Sequence, residues 1–110
     1  MKTEAMRNYN AYYGISFRDY AAVARFGGEC EKFGLEPVKV SQLENNRPGI
    51  IVELASGNWE YQLRLEGDSR IILGRENRGK REKLYEGNPN LAMSWDRLIQ
   101  LVANSEGKTA

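Results

Sequence analysis
The chain contains no histidine. That removes the usual proton shuttle at neutral pH and the commonest metal ligand, and with them Ser-His and Cys-His nucleophile pairs and most zinc chemistry. The single cysteine, Cys30, has no internal partner, so no disulfide supports the fold. A lone thiol without a framework suits a reducing cytoplasm better than an oxidising compartment. Long apolar runs are missing as well. The opening MKTEAMRNYNAYYG has nothing of the length that a signal peptide or a membrane span requires, so the expectation is a cytoplasmic protein that makes no use of a membrane. An excess of one charge is also lacking: sixteen Lys and Arg stand against fifteen Asp and Glu, a net charge of +1, which argues against a dedicated polyanion binder.

What is present suits one soluble globular domain: 110 residues, 41% apolar and 28% charged. A chain of this size buries roughly 65% of the surface that its unfolded form exposes, enough for a single core without a staple. There is no internal repeat and no linker. The domain is expected over 15–105. Residues 1–14 form a terminal segment that is either loose or tied down by its tyrosines, and 106–110 form a disordered tail.

A first helix is predicted from Ser16, whose hydroxyl is placed to cap free amides, with Asp19 three residues on and Ile15 and Tyr20 spaced as a hydrophobic staple. Val23, Phe26, Cys30 and Phe33 make its apolar stripe, and Gly34, Leu35 and Pro37 stop it. Gly27-Gly28 conflicts with that reading, since each glycine costs about 1 kcal/mol in a helix; either the helix breaks there or something packs close. Four strand signals follow: VKV at 38–40, IIVELA at 50–55, the strictly alternating NWEYQLRLE at 58–66, and RIILG at 70–74. The connections between them, NNRPG, SGN and GDS, are tight turns, so neighbouring strands are antiparallel. Leu91, Trp95, Leu98 and Val102 mark a second helix that runs to about Ala103 and starts either near Pro89, with Asn88 as cap, or at Ser94. The expected fold is α+β, a small single domain in the order α-β-β-β-β-α, with an antiparallel sheet and both helices packed on one face.

The candidate sites are few. Glu53, Glu60 and Glu66 fall on strand positions that face water, where nothing evident displaces their pKa values, and acid-base catalysis needs groups that are displaced. Cys30 lies between Phe26 and Phe33 on the apolar stripe, the place of a small buried hydrophobe rather than a nucleophile. Trp59, Tyr61 and Trp95 sit on apolar phases and read as core. No catalytic, cofactor-binding or metal-binding residue is assigned, and the expectation is a protein that is not an enzyme and uses no cofactor.

The conspicuous stretch is RENRGKREK at 75–83, with five basic and two acidic residues. Gly74 and Gly79-Lys80 match the glycine and lysine spacing of a Walker phosphate loop, but Arg81 stands where that motif needs a metal-binding hydroxyl. The stretch reads as a polar connection of about a dozen residues between the last strand and the final helix, with three uses. Arg75, Arg78, Lys80, Arg81 and Lys83 can meet an acidic protein partner, grip nucleic-acid phosphates, or only be solvated. Tyr9, Tyr12 and Tyr13 follow no core periodicity and are either further partner contacts or local packing. The α-β-β-β-α core of the order is topologically similar to double-stranded-RNA-binding domains. The second helix, opening NPNLAMSWD, lacks the basic start of that family, so no family is assigned. The expected function is a non-catalytic protein-protein interaction domain, an accessory subunit or small inhibitor of a larger protein or nucleoprotein assembly. The alternative is a weak nucleic-acid binder acting through 75–83. The sequence leaves the partner and the oligomeric state open.

Overall fold
The computed structural model describes residues 17–57, 59–66, 70–89 and 92–107. The order is helix α1 (Phe17–Lys32), strands β1 (Glu36–Gln42), β2 (Gly49–Ser56), β3 (Trp59–Glu66), β4 (Arg70–Asn77) and β5 (Lys80–Gly87), and helix α2 (Ala92–Ser105). The strands form one open antiparallel sheet in the order β1-β2-β3-β4-β5, each paired with its sequence neighbour. This is the α+β domain expected from the sequence, with one strand more than the four strand signals supply.

The apolar phase of each strand faces the helices. Val52, Leu54, Leu63, Leu65, Ile71 and Leu73 are fully buried together with Val23, Phe26 and Cys30 of α1 and Leu98 and Val102 of α2. Burial of that many branched side chains, each contributing about 1.5–3 kcal/mol, holds the two layers together. Tyr61 and Trp95 belong to the same core, and the Trp95 indole donates to the Pro89 carbonyl at 3.2 Å. Cys30 has no exposed surface, and burial pushes its thiol up to about 12, the opposite of what a nucleophile needs.

Helix α1 stops as its sequence suggests. Gly34 takes the left-handed conformation at φ 92°, its amide bonds the Glu31 carbonyl at 3.0 Å, the Leu35 amide bonds the Cys30 carbonyl at 3.1 Å, and Leu35 is buried. The helix is continuous through Gly27-Gly28, and a Cβ at Gly28 would meet nothing within 4 Å, so neither a break nor a close approach accounts for that glycine. Helix α2 begins at Ala92, between the two starts that the sequence allowed. Ser16 and Ile15 of the expected cap, Asn58 and 67–69 of two expected turns, and Leu91 of the expected stripe lie outside the described residues.

The fifth strand corrects the reading of RENRGKREK as a loop. Residues Arg75–Asn77 finish β4, Lys80–Lys83 begin β5, and Arg78-Gly79 is the two-residue turn of a hairpin. Both turn residues have positive φ, 52° and 81°, the combination that matches the twist of the flanking strands. Two irregularities lie at the sheet margins. The register shifts at Val38 in β1, and again in β5, where Leu73 pairs with Tyr85 and Gly74 with Lys83, leaving Leu84 over. Each is a bulge on an edge strand.

Candidate interaction face
The pairing register arranges the face away from the helices into rows that cross all five strands. One row is Glu36, Ala55, Glu60, Glu76, Arg81; the next is Lys39, Glu53, Gln62, Gly74, Lys83; the third is Ser41, Ile51, Arg64, Ile72, Glu86. Among the described residues both helices pack on the opposite side. A shallow groove of about 490 Å³ runs over this face, lined by residues of all five strands, including Val38, Glu53, Gln62, Ile72 and Arg81.

At one end of the face the charges are tied into a chain of alternating sign. Arg64 holds Glu44, in the turn between β1 and β2, through two bonds of 2.9 and 3.0 Å, and Glu66 at 3.1 Å. Glu66 also takes Arg70 at 2.6 Å; Arg70 reaches Glu86 at 3.3 Å; Glu86 takes Lys83 at 2.9 Å. Arg47 joins Glu44 at 3.4 Å and completes the chain. The Arg64 and Glu66 side chains are only 20% and 11% exposed, so this part is shielded from solvent. Glu44 is held down to about 2, mainly by the Arg64 hydrogen bonds. Glu66 is lowered by its bonds to Arg70 and then Arg64, against its own burial, and Glu86 is lowered by Lys83 and Arg70. The expectation that nothing displaces Glu66 is therefore corrected: alternation places it on the outer face, and only the pairing register shows that two arginines converge on it.

The end that carries the hairpin turn is different. Glu53 and Glu60 have no hydrogen-bond or ion-pair partner among the described residues, nor do Arg78 and Lys80. Arg81 pairs with Glu76 at 2.8 Å but remains 84% exposed. Val38, pushed out by its bulge, is 64% exposed. Along the rows of this end Glu53 lies across from Lys39 of β1, and Glu60 is followed by Glu76 and then Arg81, while Arg78 stands in the turn and Lys80, across from Asn77, falls on the other phase of β5.

The structure separates the candidate contact residues of the sequence. Arg75 is not displayed: its guanidinium lies 3.8 Å above the Trp59 ring, bonds Glu82 at 3.0 Å, and its side chain is 17% exposed. Beside it the Tyr61 hydroxyl donates to Glu106 at 2.5 Å, which places part of the segment read as a tail against β3. Lys83 is engaged by Glu86, whereas Arg78, Lys80 and Arg81 remain exposed at the hairpin tip. Tyr9, Tyr12 and Tyr13 lie outside the described residues.

No family model, curated protein or solved structure matches the chain. The face must therefore be interpreted from its own chemistry. Among the described residues there is no group of three or more acidic or cysteine side chains placed to hold a metal, and no helix long and apolar enough to cross a membrane.

Proposed function
We propose that the protein is a non-catalytic interaction domain whose open sheet face and β4–β5 hairpin contact a protein partner, as an accessory subunit or small inhibitor does. The observation that carries this reading is exposed charge of both signs at one end of a face that no described helix covers: Glu53 and Glu60 have no hydrogen-bond or ion-pair partner among the described residues, and Arg81, though paired with Glu76, is 84% exposed. A nucleic-acid backbone is uniformly negative, so it would be drawn to Arg78, Lys80 and Arg81 and repelled by Glu53 and Glu60 in the adjoining rows. A protein surface can answer both signs. Contact through the face also fits the state of the edges. Pro37 and the Val38 bulge guard β1, and lysines with the Leu84 bulge guard β5, devices that discourage addition of a further strand. The buried Cys30 thiol and the paucity of apolar runs favour a cytoplasmic setting for that contact.

The test is affinity capture from native lysate with the wild type and two charge-reversed variants, Glu53→Lys with Glu60→Lys and Arg78→Glu with Arg81→Glu. One stoichiometric protein species that both variants lose is the expected result. A second reading, weak nucleic-acid binding through the hairpin, draws on the free cations at its tip. Retention on nucleic acid at low salt, abolished by Arg78→Glu with Arg81→Glu and unaffected by the glutamate reversals, would establish that reading instead.

A further inference from the structure
We propose that Glu106, just past the end of α2, positions the β4–β5 hairpin from the helix side, through Tyr61 and Arg75, and so sets where the exposed cations of the hairpin tip stand. The proposal rests on the reading of that hairpin as part of a protein-contact surface and adds to it a residue that lies behind the contact. Residues 74–83, GRENRGKREK, contain no apolar side chain, so apolar burial does not hold this stretch as it holds Ile71 and Leu73 at the start of β4. The β5 bulge at Leu84 and the bare Gly74 lie together at its root, where strands bend. On the helix side the stretch offers Arg75 and Asn77 of β4, and Lys80 and Glu82 of β5. Among the described residues, only Arg75 of these four has a side chain that engages a group outside the hairpin.

The connection runs unbroken from α2 to β5. Arg75 stacks on Trp59 of β3 at 3.8 Å, bonds Glu82 of β5 at 3.0 Å, and also interacts with the Tyr61 hydroxyl of β3. That hydroxyl donates its own proton to Glu106 at 2.5 Å, which leaves the oxygen lone pairs for the arginine. Glu106 is itself held in place. Its amide bonds the Val102 and Ala103 carbonyls at 3.0 and 3.2 Å, and Gly107 closes the turn at φ 69° with its amide on the Asn104 carbonyl at 3.1 Å. The carboxylate therefore fastens Tyr61 to the end of a helix whose inner face lies in the core. Without that acceptor a buried hydroxyl proton is left beside a guanidinium that can only donate, and the two groups are driven apart. The hairpin then keeps its backbone ladder and loses its side-chain anchor.

Amide hydrogen exchange of the full chain tests this without a partner. Glu106→Ala and Tyr61→Phe should each speed exchange across residues 75–82 about tenfold, with the amides of β1 and β2 unchanged. The double variant should do no more than either single one, because the two changes break the same link. Tyr61→Phe keeps the buried ring, and Glu106→Gln keeps an acceptor for the hydroxyl, so the glutamine variant should exchange as the wild type does. Exchange that rises equally in all five strands, or that does not rise at 75–82, overturns the proposal, as does a double variant in which the two effects add. In affinity capture, Glu106→Ala and Tyr61→Phe should recover less of the protein species, and Glu106→Gln as much as the wild type. Equal recovery by all variants overturns the positioning role. Failure of the wild type to capture any protein defeats the contact reading instead, and the exchange pattern alone then decides whether Glu106 holds the hairpin.

Discussion
The two ends of the open face are built from the same residue types and behave as opposites. At the end bounded by Glu44, Arg70 and Glu86, each carboxylate lies between cations and two central groups are withdrawn from solvent. At the end bounded by Glu53, Glu60 and the Arg78-Gly79 turn, charges of both signs stand without partners among the described residues or in an exposed pair. Charge count does not separate the two ends; pairing does. Where register converges opposite charges, the groups are spent on holding strands together, and where it does not, they remain for contacts outside the molecule.

The comparison can be broken first at Gly87, where the paired end meets α2. A Cβ there would lie 2.5 Å from the Tyr85 hydroxyl, which donates to the Ser94 hydroxyl at 3.0 Å, and the Tyr85 ring packs against the core. Gly87→Ala should displace that ring and cost about 2 kcal/mol in chemical denaturation, through overpacking and the lost bond. Next is Arg64→Ala, which strips a half-buried guanidinium from Glu44 and Glu66 and should cost about 1–2 kcal/mol. The same variant should flatten the acid limb of stability. Glu44, Glu66 and Glu86 are depressed below the ordinary 4.5 in the folded state, so the stability they contribute is complete above that value and is lost as pH falls, for Glu44 towards about 2. A wild-type melting profile that did not fall over this acid window would refute the paired-end description. Smallest of all is Glu53→Lys with Glu60→Lys, expected to change stability by less than about 0.5 kcal/mol, because neither carboxylate has a hydrogen-bond or ion-pair partner among the described residues. A loss as large as that for Arg64→Ala would erase the distinction between the ends.

Much of this fold is legible in the sequence because its signals are local. The alternation of Tyr61, Leu63 and Leu65 gives β3, the Gly34-Leu35 pair gives the end of α1, and the apolar stripe gives the core face of each helix. Strand β5 is not legible in the same way. Five of its eight residues, in KREKLYEG, are charged, and the bulge at Leu84 spoils the period of two that would reveal it. The signal available was the turn: Arg78-Gly79 between Glu76 and Arg81 places opposite charges across a hairpin and a glycine at a position of positive φ. The candidate site was legible only as a list of basic residues. Which of them are spent, as Arg75 is on Trp59 and Glu82, and which carboxylates are left over depends on cross-strand register, and register is a property of two segments at once.

The strand order β1-β2-β3-β4-β5 also has a consequence for how the molecule is made. Every strand pairs with the one just before it, so the sheet is assembled from short-range hairpins that pay little loop-closure entropy and can zip in the order of synthesis. The contacts that span the meander are made by the helix layer: α2 packs beside α1, Arg25 of α1 pairs with Asp96 of α2, and Glu106 accepts the Tyr61 hydroxyl across 45 residues. Neighbour-to-neighbour pairing thus builds the sheet, and the helix layer supplies the closure over it.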